Sequence, residues 1–291
     1  MISVQLDWKP NAQFAGLLVA DHGGLFASRG LEVEILPWEV HTDPVAGLDT
    51  PGRIAVSEDN LAIQSFAAGN EVVVLGAMLR YSPLAWIVRA DSPVVKFADF
   101  AGLTVGVHVD GVTGLDYAVR SAGLTLDDVN VVDVPYDKTV QLLRGDIDAC
   151  QSNGLVEPVE MRADGSDIRV LWARDAGYEV YSQVLSTSRA TYQQFPELID
   201  GFMQALWEGW GEALADTRAA ATTIVEHYLH ESTERIQHEI LEAERPWVLG
   251  EPGSGETLGA INERRLQASI DLLHANEVIP DRLDATRLLR P

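Results

Sequence analysis

The residues of this chain best suited to chemistry are polar and aromatic side chains that follow short apolar runs. Trp8 and Asn11 flank Lys9-Pro10, directly after the alternating apolar stretch Ile2 to Asp7. An indole face can stack on a planar ligand, and an amide offers both a donor and an acceptor. The structural alternatives are a core aromatic at a strand end for Trp8 and a helix N-cap for Asn11. Glu58 and Asn60 lie in Ser57-Glu58-Asp59-Asn60, a turn that opens a helix. Acids are favoured there by the helix dipole, and the same turn can line a ligand cleft. Arg80-Tyr81-Ser82 ends another apolar run. Tyr81 can stack on a ligand, while Arg80 can hold an anionic tail or pair with surface carboxylates.

Two further loops carry polar groups. His108-Val109-Asp110-Gly111-Val112-Thr113-Gly114 runs from a strand into a helix, so the amides around Thr113 point out of a positive helix end that can hold an oxyanion. Asp110 and Asp116 add negative charge and no lysine accompanies them in sequence, which favours a neutral polar ligand over a phosphate or sulfonate. His108 reads as a hydrogen-bonded loop residue rather than a metal ligand. In Asn153-Gly154-Leu155-Val156-Glu157-Pro158, Glu157 opens a helix; dipole stabilisation and ligand contact both account for it. Tyr178 and Tyr181 lie where the chain is expected to cross back between lobes, and a side chain there can face a cleft. The chain has no His-x-x-x-His, C-x-x-C, G-x-S-x-G or G-x-x-x-x-G-K pattern, so the common metal, hydrolase and P-loop chemistries have no anchor. Glu226-His227, His230 and His238 fall in an acidic helical tail and read as solvated surface. No catalytic residue, metal site or cofactor is expected.

The elements that must position these side chains alternate between strand and helix. Ile2 to Asp7 reads as a strand, Ala12 to Arg29 as a small-residue helix stopped by Gly30, and Leu31 to Leu36 as a second strand. This βαβ unit predicts parallel strands with a right-handed crossover, and ligands of such sheets sit at the carboxyl ends of strands. Strands are expected at 53–56, 71–78, 84–89, 129–134, 147–151, 168–172 and 181–186, a short helix, turn and strand in succession across 94–107, and helices at 60–68, 112–122, 137–144 and 156–162. From Phe195 onward the pattern is helical, at 197–215, 219–229, 231–244 and 258–276. Alternation followed by a helical tail predicts a doubly wound α/β fold decorated by C-terminal helices. No internal repeat or low-complexity linker is visible.

Length and charge narrow the class. A chain of 291 residues fits two lobes of roughly 100–150 residues each. No apolar run reaches the length of about 18 residues that a membrane span requires. The formal charge of −23, with lysine only at positions 9, 96 and 138, argues against nucleic-acid or anionic-membrane partners. Cys150 stands alone, so an intrachain disulfide is impossible, and its apolar setting predicts a buried, inert thiol. Met1-Ile2 leads directly into the first strand without a basic and apolar leader, which fits either a cytoplasmic protein or a mature chain.

The stretch Leu6-Asp7-Trp8-Lys9-Pro10-Asn11, with Phe14-Ala15-Gly16 and the Gly24 to Ile35 segment, resembles the NMT1/THI5-like family of periplasmic substrate-binding proteins, whose first strand ends in W-x-P-N. The resemblance continues loosely to about residue 190: Asp99-Phe100-Ala101-Gly102-Leu103-Thr104-Val105-Gly106-Val107 is similar to the D-L-x-G-K-x-V-G-V segment that enters the second lobe. It implies a two-lobed type II periplasmic-binding-protein fold, with lobe 1 at about 1–83 plus 181–291, lobe 2 at about 84–180, and a ligand cleft between them. Short crossovers near Ser82-Pro83 and between Gly177 and Ser182 then imply hinge closure. The implied function is capture of a thiamine pyrimidine precursor, hydroxymethyl- or formylamino-pyrimidine, for an ABC importer; riboflavin or an alkylsulfonate is the alternative ligand. The implied partners are that heterocycle and the transporter permease. The implied state is a monomer, periplasmic or lipid-anchored outside the cell. The implied ligand contacts are Trp8, Asn11, Glu58, Asn60, Tyr81, Thr113, Asn153, Glu157, Tyr178 and Tyr181. The THI5 branch is instead a pyrimidine synthase with a C-C-C-F-C iron motif, a Schiff-base lysine and a sacrificial histidine. By spacing from Gly69 those last two positions fall at about Ser57 and Leu61, and a single cysteine is present, so that chemistry has no nucleophile here.

Overall fold

Short strands of apolar and β-branched residues, each followed by a helix or turn, are what the alternation requires, and a computed structural model places them in two sheets. It describes residues 1–40, 42–108, 111–135, 138–250 and 257–290. The strands are β1 (Ile2–Gln5), β2 (Val33–Leu36), β3 (Arg53–Ser57), β4 (Val72–Leu79), β5 (Leu84–Arg89), β6 (Thr104–Val107), β7 (Asn130–Asp133), β8 (Ala149–Asn153), β9 (Ile168–Trp172) and β10 (Ser182–Ser188). The helices are α1 (Ala15–His22), α2 (Asp59–Ala67), α3 (Val112–Ser121), α4 (Lys138–Arg144), α5 (Glu157–Ala163), α6 (Arg189–Gln194), α7 (Pro196–Ala215), α8 (Thr217–His227), α9 (Glu234–Leu249) and α10 (Glu263–Ala275). Val109 and Asp110 of the His108 loop, and Asp137 at the expected start of a helix, lie outside the described residues.

The chain divides into two compact units, Met1–Arg80 with Val180–Pro291, and Tyr81–Glu179. The sheet of the first unit has the order β2-β1-β3-β10-β4. β1 runs parallel to β2 and β3, as a βαβ crossover dictates, and β10 inserts antiparallel between β3 and β4. The helix expected over 12–29 is interrupted: a 3-10 turn at Ala12–Phe14 precedes α1, another at Ala27–Arg29 follows it, and Gly30 ends the segment at φ +71°. The small residues of α1 permit close helix packing, since a Cβ on Gly16 would lie 2.2 Å from the Trp210 ring of α7. β4 is buried along its whole length although it ends the sheet. Its free edge is covered by the C-terminal chain: Val74 N donates to Leu288 O, Ala77 N to Gly259 O and Arg80 N to Trp247 O. The tail thereby removes the pairing hazard of an open edge.

The second unit has the order β7-β6-β8-β5-β9, with β6 parallel to β7 and β8, and β5 antiparallel to β8 and β9. Leu84–Arg89 and Ile168–Trp172 are strands over the bounds read from sequence. β8 differs: it begins at Ala149 and runs to Asn153 instead of over 147–151, because Leu84 and Ala85 of β5 continue to pair with Asn153 and Ser152. The core of this unit includes Ile87, Val134, Leu142, Ile147, Cys150 and Ile168. No helix among the described residues is long and apolar enough to cross a membrane.

Candidate ligand-binding site

In the first unit β1, β2, β3 and β4 all point the same way, and β10 starts at the end where they finish. That carboxyl edge gathers most of the side chains selected from the sequence. Trp8, half-buried, follows β1 and packs against Trp38, which follows β2, with ring centroids 4.6 Å apart and planes inclined by 48°. Asn11 is buried, and its Oδ1 accepts from Gln13 N at 3.1 Å, so its capping role is real. Glu58 occupies the N-cap of α2 without a side-chain cap bond and is half-buried. Asn60 is 4% exposed, and its Oδ1 meets no hydrogen-bond donor among the described residues.

Three residues around this edge are buried. Arg80 is buried, and its Nε and Nη2 donate to the backbone carbonyls of Val248 and Thr257. Tyr181 is buried in the core of the first unit. Its hydroxyl accepts from Asn262 N at 2.9 Å, its ring lies under the Arg265 guanidinium at 4.1 Å, and its amide donates to Asp59 Oδ2 at 3.0 Å. Asp59 was read only as a helix-start acid, yet it is fully buried. Ser269 Oγ donates to Oδ2 at 2.7 Å, while Oδ1 has no donor among the described residues. Burial dominates its titration and, against the lowering effect of the Ser269 and Tyr181 bonds and of Arg265, pushes the carboxyl up to about 6.

In the second unit the carboxyl ends of β6 and β8 carry a connected polar network. Lys138, at the start of α4, is 4% exposed. Its Nζ donates to Glu157 Oε1 at 3.1 Å and stands 3.1 Å from His108 Nε2. An ammonium can only donate, so Nε2 is the unprotonated nitrogen and the histidine carries its hydrogen on Nδ1. Glu157 also accepts from Asn153 N at 3.0 Å and Ser152 Oγ at 3.3 Å, both on Oε2. Gln151 Oε1 holds the His108 amide at 2.8 Å, and Asn153 Oδ1 accepts from Leu155 N at 3.0 Å. A lysine therefore does accompany the His108 loop, which corrects the sequence reading. Lys138 is 30 positions from His108 and 19 from Glu157, and the pairing of β6 with both β7 and β8 brings them together.

The remaining candidates sit around this network. Thr113 is half-buried in the first turn of α3. Tyr81 is half-buried, with the Arg174 guanidinium 3.7 Å above one ring face. Tyr178 is buried against Tyr117, with ring centroids 5.7 Å apart. Cys150 lies beneath the network in the core, and burial pushes its thiol up to about 12, so it is inert as expected. His227, read as solvated surface, stacks on His22 with ring centroids 4.1 Å apart. No group of three or more metal-ligating side chains occurs among the described residues.

Two α/β units with four like-directed strands and one reversed strand apiece, and polar side chains at the carboxyl ends, define the periplasmic-binding-protein class. The same architecture is seen in the periplasmic aliphatic sulphonate binding protein SsuA from Escherichia coli, at a TM-score of 0.76 and 15% identity over 100% of this chain and 92% of that one. The desulfurization enzyme DSZB shares it at a TM-score of 0.69 and 17% identity, over 100% of this chain and 97% of that one; at such identities the likeness is one of fold. The family model described as NMT1/THI5 like matches residues 11–220, and the chain belongs to that family. A riboflavin-binding protein, RibY, from Chloroflexus aurantiacus is 24% identical over 74% of this chain and 63% of its own length. A formylaminopyrimidine-binding protein from Halalkalibacterium halodurans is 30% identical over 72% of this chain and 65% of its own. The chain thus spans less than two thirds of either relative.

Proposed function

We propose that this protein is a solute-binding protein that captures a small neutral nitrogen heterocycle, a thiamine pyrimidine precursor of the hydroxymethyl- or formylamino-pyrimidine type, for an ABC importer. The observation that carries this reading is the Glu157 carboxylate, held rigid by Lys138, Ser152 and Asn153 at the end of β8. A carboxylate has about four acceptor positions, so three donors leave one for an exocyclic amine. The tilted pair Trp8 and Trp38 offers a ring face, and the donor half of the Asn11 amide is not consumed by its cap. The relative named for formylaminopyrimidine supports the ligand class.

The protein acts by binding and not by turnover. The synthase branch needs a lysine nucleophile and a cysteine cluster; the buried lysine here is ion-paired to Glu157, and the single cysteine lies in the core. It works outside the cytoplasmic membrane as a monomer, in keeping with structural neighbours described as periplasmic. A riboflavin-type ligand is the second reading, favoured by the broad Trp8 and Trp38 surface. An alkylsulfonate is less suited, because Glu157 already neutralises Lys138.

Calorimetric titration with hydroxymethyl-aminopyrimidine tests the proposal. Glu157→Gln replaces the charged acceptor by a neutral amide and should cost about 1.5–3 kcal/mol, or about ten- to hundredfold in affinity. Glu157→Ala should cost at least as much, and changing the exposed Glu234 should cost nothing measurable. Parent-like binding by Glu157→Gln would reduce Glu157 to a helix-start acid. Incubation with pyridoxal phosphate and iron should yield no pyrimidine.

A further inference from the structure

The start of β10 holds a residue that sequence reading passed over. Gln183 has φ +52°, a left-handed conformation that a side chain with a Cβ rarely adopts outside a turn. It lies inside a strand, between Ser182, which pairs with Leu79, and Val184, which pairs with Ser57. A glycine would sit there without penalty, so retention of a long amide side chain at a strained position points to a use for that side chain. Gln183 is also 4% exposed, and its Oε1 meets no hydrogen-bond donor among the described residues.

The orientation of the amide is set by its neighbour. Gln183 Nε2 is 3.4 and 3.5 Å from the two carboxylate oxygens of Asp7, so the donor end faces Asp7 and the carbonyl end faces away from it. A reversed amide would set oxygen against carboxylate and is repelled. Asp7 and its neighbour Trp8 are only half-buried, so the position is approachable from the carboxyl edge of β1. The result is a buried acceptor, turned away from Asp7, that meets no donor among the described residues. A buried carbonyl oxygen in that state is costly until a donor arrives.

We propose that Gln183 is a specificity-determining residue whose Oε1 accepts from an exocyclic N–H of the bound heterocycle, with Asp7 as the positioning residue that fixes the amide. This rests on the heterocycle-binding reading above and names how the first unit takes part in it. Asn60 Oδ1, in the first turn of α2, is buried and also meets no donor among the described residues, which fits the same demand for a donating ligand. A sulfonate presents acceptors only and would meet the Gln183 Oε1 without a hydrogen to share.

Two ligands and two variants test this. Titrations use hydroxymethyl-aminopyrimidine and the same ring with hydrogen in place of the exocyclic amine. Gln183→Met keeps length and removes the acceptor; it should weaken the amine-bearing ring about tenfold or more and the amine-free ring less than about twofold. Gln183→Gly removes the acceptor and relieves the backbone, so it should show the same selective loss with an unchanged or higher melting temperature. Equal losses on both rings, or no loss on either, would overturn the assignment and leave Gln183 structural. If the parent binds the amine-bearing ring and the variants do too, only this inference fails. If the parent binds neither ring, the heterocycle reading fails and this one with it.

Discussion

In each unit three neighbouring strands run parallel, a reversed strand joins their edge, and a fifth strand closes the sheet: β2-β1-β3-β10-β4 in the first, β7-β6-β8-β5-β9 in the second. The carboxyl edges of these matching scaffolds are built on opposite principles. The second unit meets its charges internally, with Lys138 shared between His108 and Glu157. The first leaves acceptors unmet among the described residues: Asp59 Oδ1, Asn60 Oδ1, Gln183 Oε1 and both oxygens of Glu244, a fully buried carboxyl on α9. Burial alone holds the Glu244 carboxyl well above the ordinary carboxylate range. Among the described residues the second unit has one such unmet atom, the donor Trp86 Nε1, and the first unit also holds a buried donor of that kind, Trp210 Nε1. Topology thus sets where polar groups converge, and side-chain choice decides whether an edge satisfies itself or waits for a donor.

The largest effect that would break this contrast is on the paired edge. Lys138→Met strands the Glu157 carboxylate, and with side chains only 5% and 18% exposed the loss should be about 3–5 kcal/mol in chemical denaturation. Adding Glu157→Gln should recover most of it. If Lys138→Met is neutral, the second unit is not held by its ion pair and the contrast dissolves.

On the unpaired edge the sign reverses. The Asp59 carboxyl titrates at about 6 in the folded chain against an ordinary 3.8, so the native state holds its proton more tightly. Its stabilising contribution is complete below pH 3.8 and is lost as pH rises through 6, amounting to about 3 kcal/mol. Asp59→Asn keeps the shape and cannot ionise. It should flatten that part of the stability profile and melt higher than the parent at pH 7. A parent and variant with parallel profiles would show that Asp59 is not strained by its burial. Glu244→Gln should raise stability at neutral pH in the same direction, with the gain shrinking as pH falls toward the ordinary value of 4.5.

The smallest expected effect is none. Cys150, with its thiol pushed up to about 12 beneath the paired edge, should resist a thiol reagent at pH 8 in the native protein and react on unfolding. Fast native labelling would mean that the core of the second unit opens far more readily than its packing implies.

Much of this molecule was legible from residue order. Strands β5 and β9 carry uninterrupted or nearly uninterrupted apolar runs, and Gly30 marks the end of its segment because a left-handed residue is needed there. Asn11 announced its cap by following a proline at a helix entry. What stayed hidden depends on pairing between distant segments. Nothing in the neighbourhood of Lys138 indicates His108 or Glu157 as its companions, and Asp59 resembles any acid in a first helical turn until Ser269 and Tyr181 are brought to it. Gln183 was invisible for a different reason: left-handed positions are read from glycine, and this one has none. The shared strand order of the two units left no trace either, since register and direction can repeat while side chains do not.

The insertion of β10 between β3 and β4 also dictates the order in which the molecule can be completed during synthesis. Residues Tyr81–Glu179 form one continuous stretch and can fold as soon as they emerge. The other unit cannot close its sheet until Ser182–Ser188 has followed, and the bare edge of β4 waits longer still, for Trp247, Gly259 and Leu288. For most of translation, therefore, β3 and β4 present unpaired backbone to their surroundings. A nascent chain stalled before residue 182 would carry one finished unit and one with two open strands, the form most prone to wrong pairing.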